Sequence, residues 1–205
     1  MRIATLLLPL LLLVMALPVA AQDGIGTFRA AECPFELAAG SATVSCGYVT
    51  VPEFHAKPEG STIELAVAVI SSTAASPAPD PLVMAQGGPG GSTLDLFGPT
   101  MAEAGGLGAF FLDQRDIVLI EQRGTLYSVP NLVCDEGFDL LVETIDQNLT
   151  LEEAIELTNQ ADFACRERLI SEGINLSAYN SLENAADVPV VMDALGYDTF
   201  NYYGI

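Results

Sequence analysis

Two short runs of this sequence are apolar at every position except Asp116, which opens the second run, and each leads directly into a glycine-containing turn. Residues 82–85 (Leu-Val-Met-Ala) precede Gln86-Gly87-Gly88-Pro89-Gly90-Gly91-Ser92, and residues 116–120 (Asp-Ile-Val-Leu-Ile) precede Glu121-Gln122-Arg123-Gly124. Strands that are apolar on both faces belong in the middle of a sheet that helices cover on both sides. The two runs therefore restrict the chain to α/β architectures.

The remaining periodicity agrees with this class. Residues 43–51 and 62–70 alternate apolar and polar positions and predict two strands that pair as an antiparallel hairpin. Thr150 with Glu153 forms a capping-box pattern that predicts a helix over 151–169. Its expected apolar stripe consists of Ile155, Leu157, Phe163 and Leu169.

A second helix is predicted over 181–195. Gly196 caps it, and Asp187 lies on its solvent side together with Glu183 and Asp193. The order of elements predicts a doubly wound, mostly parallel α/β sheet with an antiparallel leading hairpin.

The amino-terminal segment predicts export from the cytoplasm. Residues 1–21 have the charge, the apolar run at 6–17 and the small final residues of a signal peptide cut before Gln22. An uncleaved membrane anchor is the alternative, but the apolar run is shorter than the roughly 20 residues that span a bilayer. We expect a secreted protein, extracellular or periplasmic, without stable membrane insertion after cleavage. Residues 22–42 then form a leader, and 43–205 the amino-terminal half of one domain.

The composition is strongly acidic, with 27 Asp and Glu residues against 7 Lys and Arg residues and a formal net charge of −20. This charge argues against nucleic acid as a partner, because phosphate binding needs a footprint of Lys and Arg. Anionic membrane surfaces are disfavoured for the same reason. The charge could steer cationic substrates toward the protein, or it could serve only solubility.

Four cysteines follow the predicted signal peptide: Cys33, Cys46, Cys134 and Cys165. An even number in an exported chain indicates two disulfides, for which three pairings are possible. The pairing Cys33–Cys46 with Cys134–Cys165 closes the shortest loops and is the one we expect. Zinc is the alternative use of four cysteines, but the sequence has no Cys-x-x-Cys knuckle, so no metal is predicted.

The glycine turn after residue 85 has the composition of an oxyanion hole. Acyl transfer creates an oxyanion, and a glycine-rich turn lets backbone N–H groups approach it without interference from a Cβ. A flexible bend or a phosphate cradle is the alternative, although the Gly-Lys-Ser/Thr ending of a P-loop is missing. Arg123 could bind substrate, or it could tie the end of its strand to neighbouring carbonyls or acids.

Six motifs occur in an order that characterises one family. They are Cys46-Gly47-Tyr48-Val49-Thr50-Val51-Pro52, the glycine turn, Glu121-Gln122-Arg123-Gly124-Thr125-Leu126-Tyr127-Ser128-Val129-Pro130, Cys134, Ala185-Ala186-Asp187 and Tyr203-Gly204-Ile205. With them the chain resembles the secreted tripeptidyl-aminopeptidase-like branch of the α/β-hydrolases, which is related to prolyl iminopeptidase. Gln86 replaces a histidine common in that family, and Glu121 replaces an aspartate.

The resemblance implies a serine peptidase that releases residues or short peptides from free N-termini, without a cofactor. The substrate would be a peptide or a small acyl compound. It also implies that the backbone of Gly88 donates to the oxyanion with support from Gly87. The turn would be shaped by Pro89, Gly90 and Gly91, together with Arg123 and Gly124.

The catalytic triad is not within the 205 residues. In this fold the nucleophilic serine of Gly-x-Ser-x-Gly precedes the acid and the histidine, and here only the approach to that motif is present. His55, the single histidine, comes too early to be the base and is expected at the surface. We therefore expect these residues to be inactive alone. An esterase on the same fold and a non-catalytic secreted remnant are the alternatives.

Overall fold

The computed structural model describes residues 24–88 and 90–204. The predicted signal peptide, Pro89 and Ile205 lie outside these residues. The elements in chain order are β1 (Phe28–Ala31), β2 (Val44–Pro52), β3 (Thr62–Ile70), β4 (Leu82–Ala85), α1 (Thr93–Ala102), α2 (Ala109–Leu112), β5 (Ile117–Ile120), α3 (Asp135–Thr144), α4 (Leu151–Ser171), a 3₁₀ turn (Leu176–Ala178), α5 (Ser181–Ala194) and β6 (Asn201–Gly204). None of the described helices is both long enough and apolar enough to span a membrane.

The six strands form one mixed sheet in the order β1-β2-β3-β5-β4-β6. The hairpin of β2 and β3 is antiparallel, as predicted, and β4 pairs in parallel with both β5 and β6. The prediction of a mostly parallel sheet is wrong for the described residues, because β1 adds antiparallel to β2 and β3 joins β5 antiparallel. The chain therefore has an α/β fold with a mixed sheet.

Strand β1 was not anticipated and lies inside the predicted leader, 22–42. It pairs with β2 in the register Phe28↔Val49, so this part of the leader belongs to the sheet. A four-residue strand with half its side chains exposed carries almost no periodic signal in the sequence. Its extended conformation is stabilised by the pairing with β2.

The sheet buries apolar side chains on both faces, because successive residues of a strand point in opposite directions. On one face Ile117 and Leu119 of β5 pack in the cluster that contains Leu94 and Phe97 of α1. On the other face Val118 and Ile120 share a cluster with Val191 and Met192 of α5. Helices thus cover both faces of the sheet at β4 and β5, the two strands whose apolar runs predicted a position in the middle of a covered sheet.

Both disulfides of the expected pairing are present. Cys33–Cys46 ties the segment before β2 to that strand, and Cys134–Cys165 joins the start of α3 to α4. The capping box of α4 is also formed, since Thr150 accepts from the Glu153 amide and the Glu153 carboxylate accepts from the Thr150 amide. The expected apolar stripe of α4 is buried only in part, however: Leu169 is buried and Leu157 is half-buried, but Ile155 and Phe163 are exposed.

Candidate active site

Three parallel strand ends define the candidate site. The register pairs Ala85 of β4 with Gly204 of β6, and β5 lies on the other side of β4. The carboxyl ends of β5, β4 and β6 therefore meet at one edge of the sheet. The chain leaves β4 toward β5 on one side and reaches β6 on the other, which is the topological switch point where α/β proteins bind ligands.

The glycine turn lies at this edge, between β4 and α1. Gly88 has φ 132° and Gly90 has φ 88°, values that disfavour residues with a Cβ. Gly91 donates to the carbonyl of Gly87 at 3.1 Å, and a Cβ on Gly91 would lie only 2.8 Å from that same oxygen. The backbone of this turn therefore depends on glycine for its shape.

Side chains at both ends hold the turn against α1. The backbone N–H of Gln86 donates to Thr93 Oγ1 at 3.0 Å, which closes the turn across its base. Ser92 is the N-cap of α1, and its hydroxyl accepts from the Asp95 amide at 3.1 Å. An N-cap serine satisfies one of the free N–H groups of the first helical turn. The turn and the amino terminus of α1 thus form one hydrogen-bonded unit.

Glu121 lies beneath this unit at the end of β5. Its carboxyl is completely buried, and Oε2 accepts from the Leu94 amide and from the Ser92 hydroxyl, both at 3.1 Å. Oε1 is buried without a hydrogen-bond partner among the described residues. Burial raises the pKa of Glu121 above its ordinary value of 4.5, because desolvation penalises the charged form more than these donors favour it.

Arg123 binds Asp187 of α5 through a bidentate ion pair in which both side chains are about 1% exposed. Its Nε donates to Asp187 Oδ2 at 2.8 Å and its Nη2 to Oδ1 at 2.6 Å. The guanidinium also donates to the carbonyls of Pro52, Glu53 and Ala178. Arg123 therefore ties the end of β5 to α5 and to the β2–β3 connection, and these contacts are those of a structural arginine.

Two sequence predictions are corrected at this cluster. Asp187, expected on the solvent side of α5, is buried, because Arg123 compensates its charge. His55, expected at the surface, is only partly exposed and places its Nε2 2.8 Å from Asp187 Oδ1. Its backbone N–H donates to Glu183 on the same helix. No pattern near His55 or Asp187 in the sequence indicates this contact, which joins residues 132 positions apart.

Gly124 shapes the wall of a cavity next to the glycine turn. Its φ is 79°, and a Cβ there would lie 2.8 Å from the Tyr179 ring. The cavity measures about 620 Å³ and is bordered by Gly90, Ser92, Gln122, Leu132, Ser181 and Asn184, among others. The motifs around Gly90 and Gly124, which are far apart in sequence, thus border one space.

Two polar pairs at this cavity were not anticipated. Asn184 donates to Gln122 Oε1 at 2.8 Å and links α5 to the end of β5. The Tyr127 hydroxyl donates to Asp95 Oδ1 at 2.6 Å, and this hydrogen bond raises the pKa of Tyr127 to about 12. Tyr127 therefore remains a neutral donor at physiological pH.

One group among the described residues has the ligand types and proximity of a metal site: Cys134, Glu136 and Cys165. The two cysteines are joined to each other in a disulfide, and Glu136 accepts from Arg168 at 2.7 Å. A disulfide offers no thiolate to a metal.

The fold and the site together define an α/β protein with a glycine-shaped turn and a cavity at the carboxyl edge of its parallel strands. No protein-family model matches the chain. The chain is 31% identical over 168 residues to the tripeptidyl aminopeptidase of Streptomyces lividans and equally to that of Streptomyces coelicolor. The aligned region covers 79% of this chain and 30% of each of those proteins. The chain is thus distantly related to tripeptidyl aminopeptidases and spans about three tenths of their length.

Proposed function

We propose that the chain is the amino-terminal part of a secreted serine aminopeptidase with an α/β-hydrolase fold. The observation that carries the proposal is the glycine turn at the topological switch point, beside the end of β6. The relation to two tripeptidyl aminopeptidases supports a peptidase function. In the proposed enzyme, residues or short peptides are released from free N-termini through an acyl-enzyme.

The turn has the chemistry that such a reaction requires. A tetrahedral intermediate carries an oxyanion, and preoriented backbone N–H groups stabilise that charge in the transition state. In the proposal the Gly88 amide donates to the oxyanion, with Gly87 in support. Gly90 and Gly91 fix the course of the backbone, and Glu121 with Ser92 anchors the turn to the sheet.

The parallel register of β4 and β6 supports a nucleophile beside the glycine turn. Gly204 ends β6 directly beside Ala85, the last residue before the turn. A serine presented just beyond the end of β6 would therefore lie next to the oxyanion turn, as in a nucleophile elbow. The nucleophile, the acid and the base of the proposed enzyme are not among the 205 residues, so we expect these residues alone to be inactive.

The test is hydrolysis by the protein expressed from its complete reading frame. A tripeptidyl anilide with a free N-terminus is the substrate, and its N-acetylated form and a short acyl ester are the comparisons. We expect rapid release from the free form, and labelling of the protein by a fluorophosphonate that modifies active serines. Ester hydrolysis alone would favour an esterase, and no activity with no labelling would leave only a non-catalytic protein.

A matched pair of variants tests the role of the turn. Gly90→Ala and Gly40→Ala place a Cβ at nearly the same backbone angle, φ 88° and φ 85°, with no atom within 4 Å in either case. Both changes strain the backbone, but only Gly90 lies in the turn. We expect Gly90→Ala to lower kcat/KM by about tenfold or more, with little change for Gly40→Ala. Equal activities would contradict the assignment of the turn.

A further inference from the structure

The helices α3 and α4 form a hairpin that stands away from the main core. No residue of α3 is buried, and in the 21 residues of α4 only Cys165 and Leu169 are. The two helices pack against each other, and the Cys134–Cys165 disulfide fixes the base of the hairpin. Arg168 strengthens the base by donating to Glu136 and to the carbonyl of Val133.

The apolar face of α3 is exposed to solvent. Its members recur with the spacing i, i+3, i+4 and i+7, which places them on one side of a helix. They are Phe138 (67% exposed), Leu141 (56%), Val142 (58%) and Ile145 (78%). On α4, Leu151 and Ile155 are exposed and border an open groove of about 830 Å³. Contiguous exposed apolar surface is typical of interaction sites.

The same hairpin carries an unusual concentration of negative charge. Between the two bridged cysteines there is no Lys or Arg, and there are nine acids: Asp135, Glu136, Asp139, Glu143, Asp146, Glu152, Glu153, Glu156 and Asp162. Among these nine described residues, only Glu136 forms an ion pair. Acids Glu152, Glu153 and Glu156 also line the apolar groove on α4. The hairpin therefore carries an apolar stripe on α3 together with many negatively charged side chains.

We propose that the α3–α4 hairpin is a docking surface for a cationic amphipathic polypeptide segment. Such a segment would place its apolar side on the stripe of α3 while its Lys and Arg side chains meet the surrounding acids. This is the helix-in-groove mode of recognition, in which apolar anchors supply affinity and charge complementarity supplies selection and speed of association. A second copy of this chain is disfavoured as the occupant, because each copy would bring the same nine acids to the contact.

Peptide binding to the protein expressed from its complete reading frame tests the proposal without requiring hydrolysis. The probe is a fluorescein-labelled amphipathic peptide of Leu and Lys, about 18 residues or five helical turns long. Its comparison has Glu in place of every Lys. Fluorescence anisotropy should show saturable binding of the Lys peptide that weakens as salt is added, because added ions screen exposed charges. The Glu peptide should not bind.

Two variants separate the two parts of the surface. Leu141→Asn with Val142→Asn removes apolar anchors, and we expect Kd to rise about tenfold or more. Asp139→Asn, Glu143→Gln and Asp146→Asn together remove charge, and we expect weaker binding with a smaller salt dependence. The matched controls are Leu107→Asn for the apolar change and Glu32→Gln, Glu36→Gln and Glu59→Gln for the charge change. Circular dichroism of every variant verifies an unchanged fold.

Three results would overturn the inference. The first is equal binding of the Lys and Glu peptides, or no binding of either, which is the result expected if the rest of the same protein covers the stripe. The second is an unchanged Kd in the Leu141→Asn, Val142→Asn variant. The third is an unliganded protein that sediments as a dimer and becomes a monomer only in this variant, since the occupant would then be a second copy. Failure of the peptidase assay with intact peptide binding would refute the proposed function and leave this inference standing.

Discussion

The substitution Asp187→Asn tests the buried ion pair that joins α5 to the end of β5. It keeps the size of the side chain but removes its charge, so the Arg123 guanidinium stays buried without a counter-ion. Breaking a buried pair by changing one partner costs about 3–5 kcal/mol of unfolding free energy. Because the carbonyls of Pro52, Glu53 and Ala178 still accept from Arg123, we expect about 3 kcal/mol, the lower end of this range.

Urea unfolding followed by circular dichroism measures this loss, since the chain has no tryptophan to report by fluorescence. Asp193→Asn is the matched control, because Asp193 lies on the same helix but is exposed. We expect that change to stay within about 0.5 kcal/mol of the unmodified protein. A double-mutant cycle with Arg123→Met should give a coupling free energy above about 1 kcal/mol. If Asp187→Asn unfolds at the same urea concentration as Asp193→Asn, the pair does not hold α5 in place.

The other two predictions concern Glu121 and Thr150. Because burial raises the pKa of Glu121, the folded protein keeps a proton that the unfolded chain releases as pH rises past 4.5. The contribution of Glu121 to stability is therefore full below that pH and declines above it. We expect Glu121→Gln to be more favourable, relative to the unmodified protein, at neutral pH than below pH 4.5. Urea unfolding at both pH values checks this, and a pH-independent difference would contradict it. Thr150→Ala removes the hydroxyl that accepts from the Glu153 backbone N–H in the capping box of α4, while the backbone N–H at position 150 still donates to the Glu153 carboxylate, and the change should cost about 1 kcal/mol. Thr158→Ala, within the same helix, is its control, and equal unfolding free energies would show that the cap contributes nothing.

Local pattern alone determined much of the framework. The β2–β3 hairpin, the apolar strands β4 and β5 and the cap of α4 follow from alternation, from uniform apolarity and from one capping box. Each of these signals acts within a few residues, so it can be interpreted from neighbouring positions. The pairing of the disulfides could also be predicted from the sequence, because cysteines that are close in sequence can be joined without a crossing connection.

The arrangement of the strands lay outside those patterns. Alternating runs predict that strands exist, but they do not say which neighbours pair, and β1 is too short to be recognised without its partner. The antiparallel contact of β3 with β5 joins residues about 50 positions apart, such as Val67 and Ile120. Only the folded sheet decides such a pairing, since its free energy comes from both strands together.

The same distinction explains the polar cluster at Asp187. An aspartate in a helix is expected in water unless a cation compensates it, and the cation here is Arg123, 64 positions earlier. His55 contacts the same carboxylate, although it lies 132 positions before Asp187 in the sequence. The sequence by itself determined local elements and the residues of the glycine turn. The tertiary structure decided which charges are buried and which apolar stripes remain exposed, because desolvation depends on contacts distant in sequence.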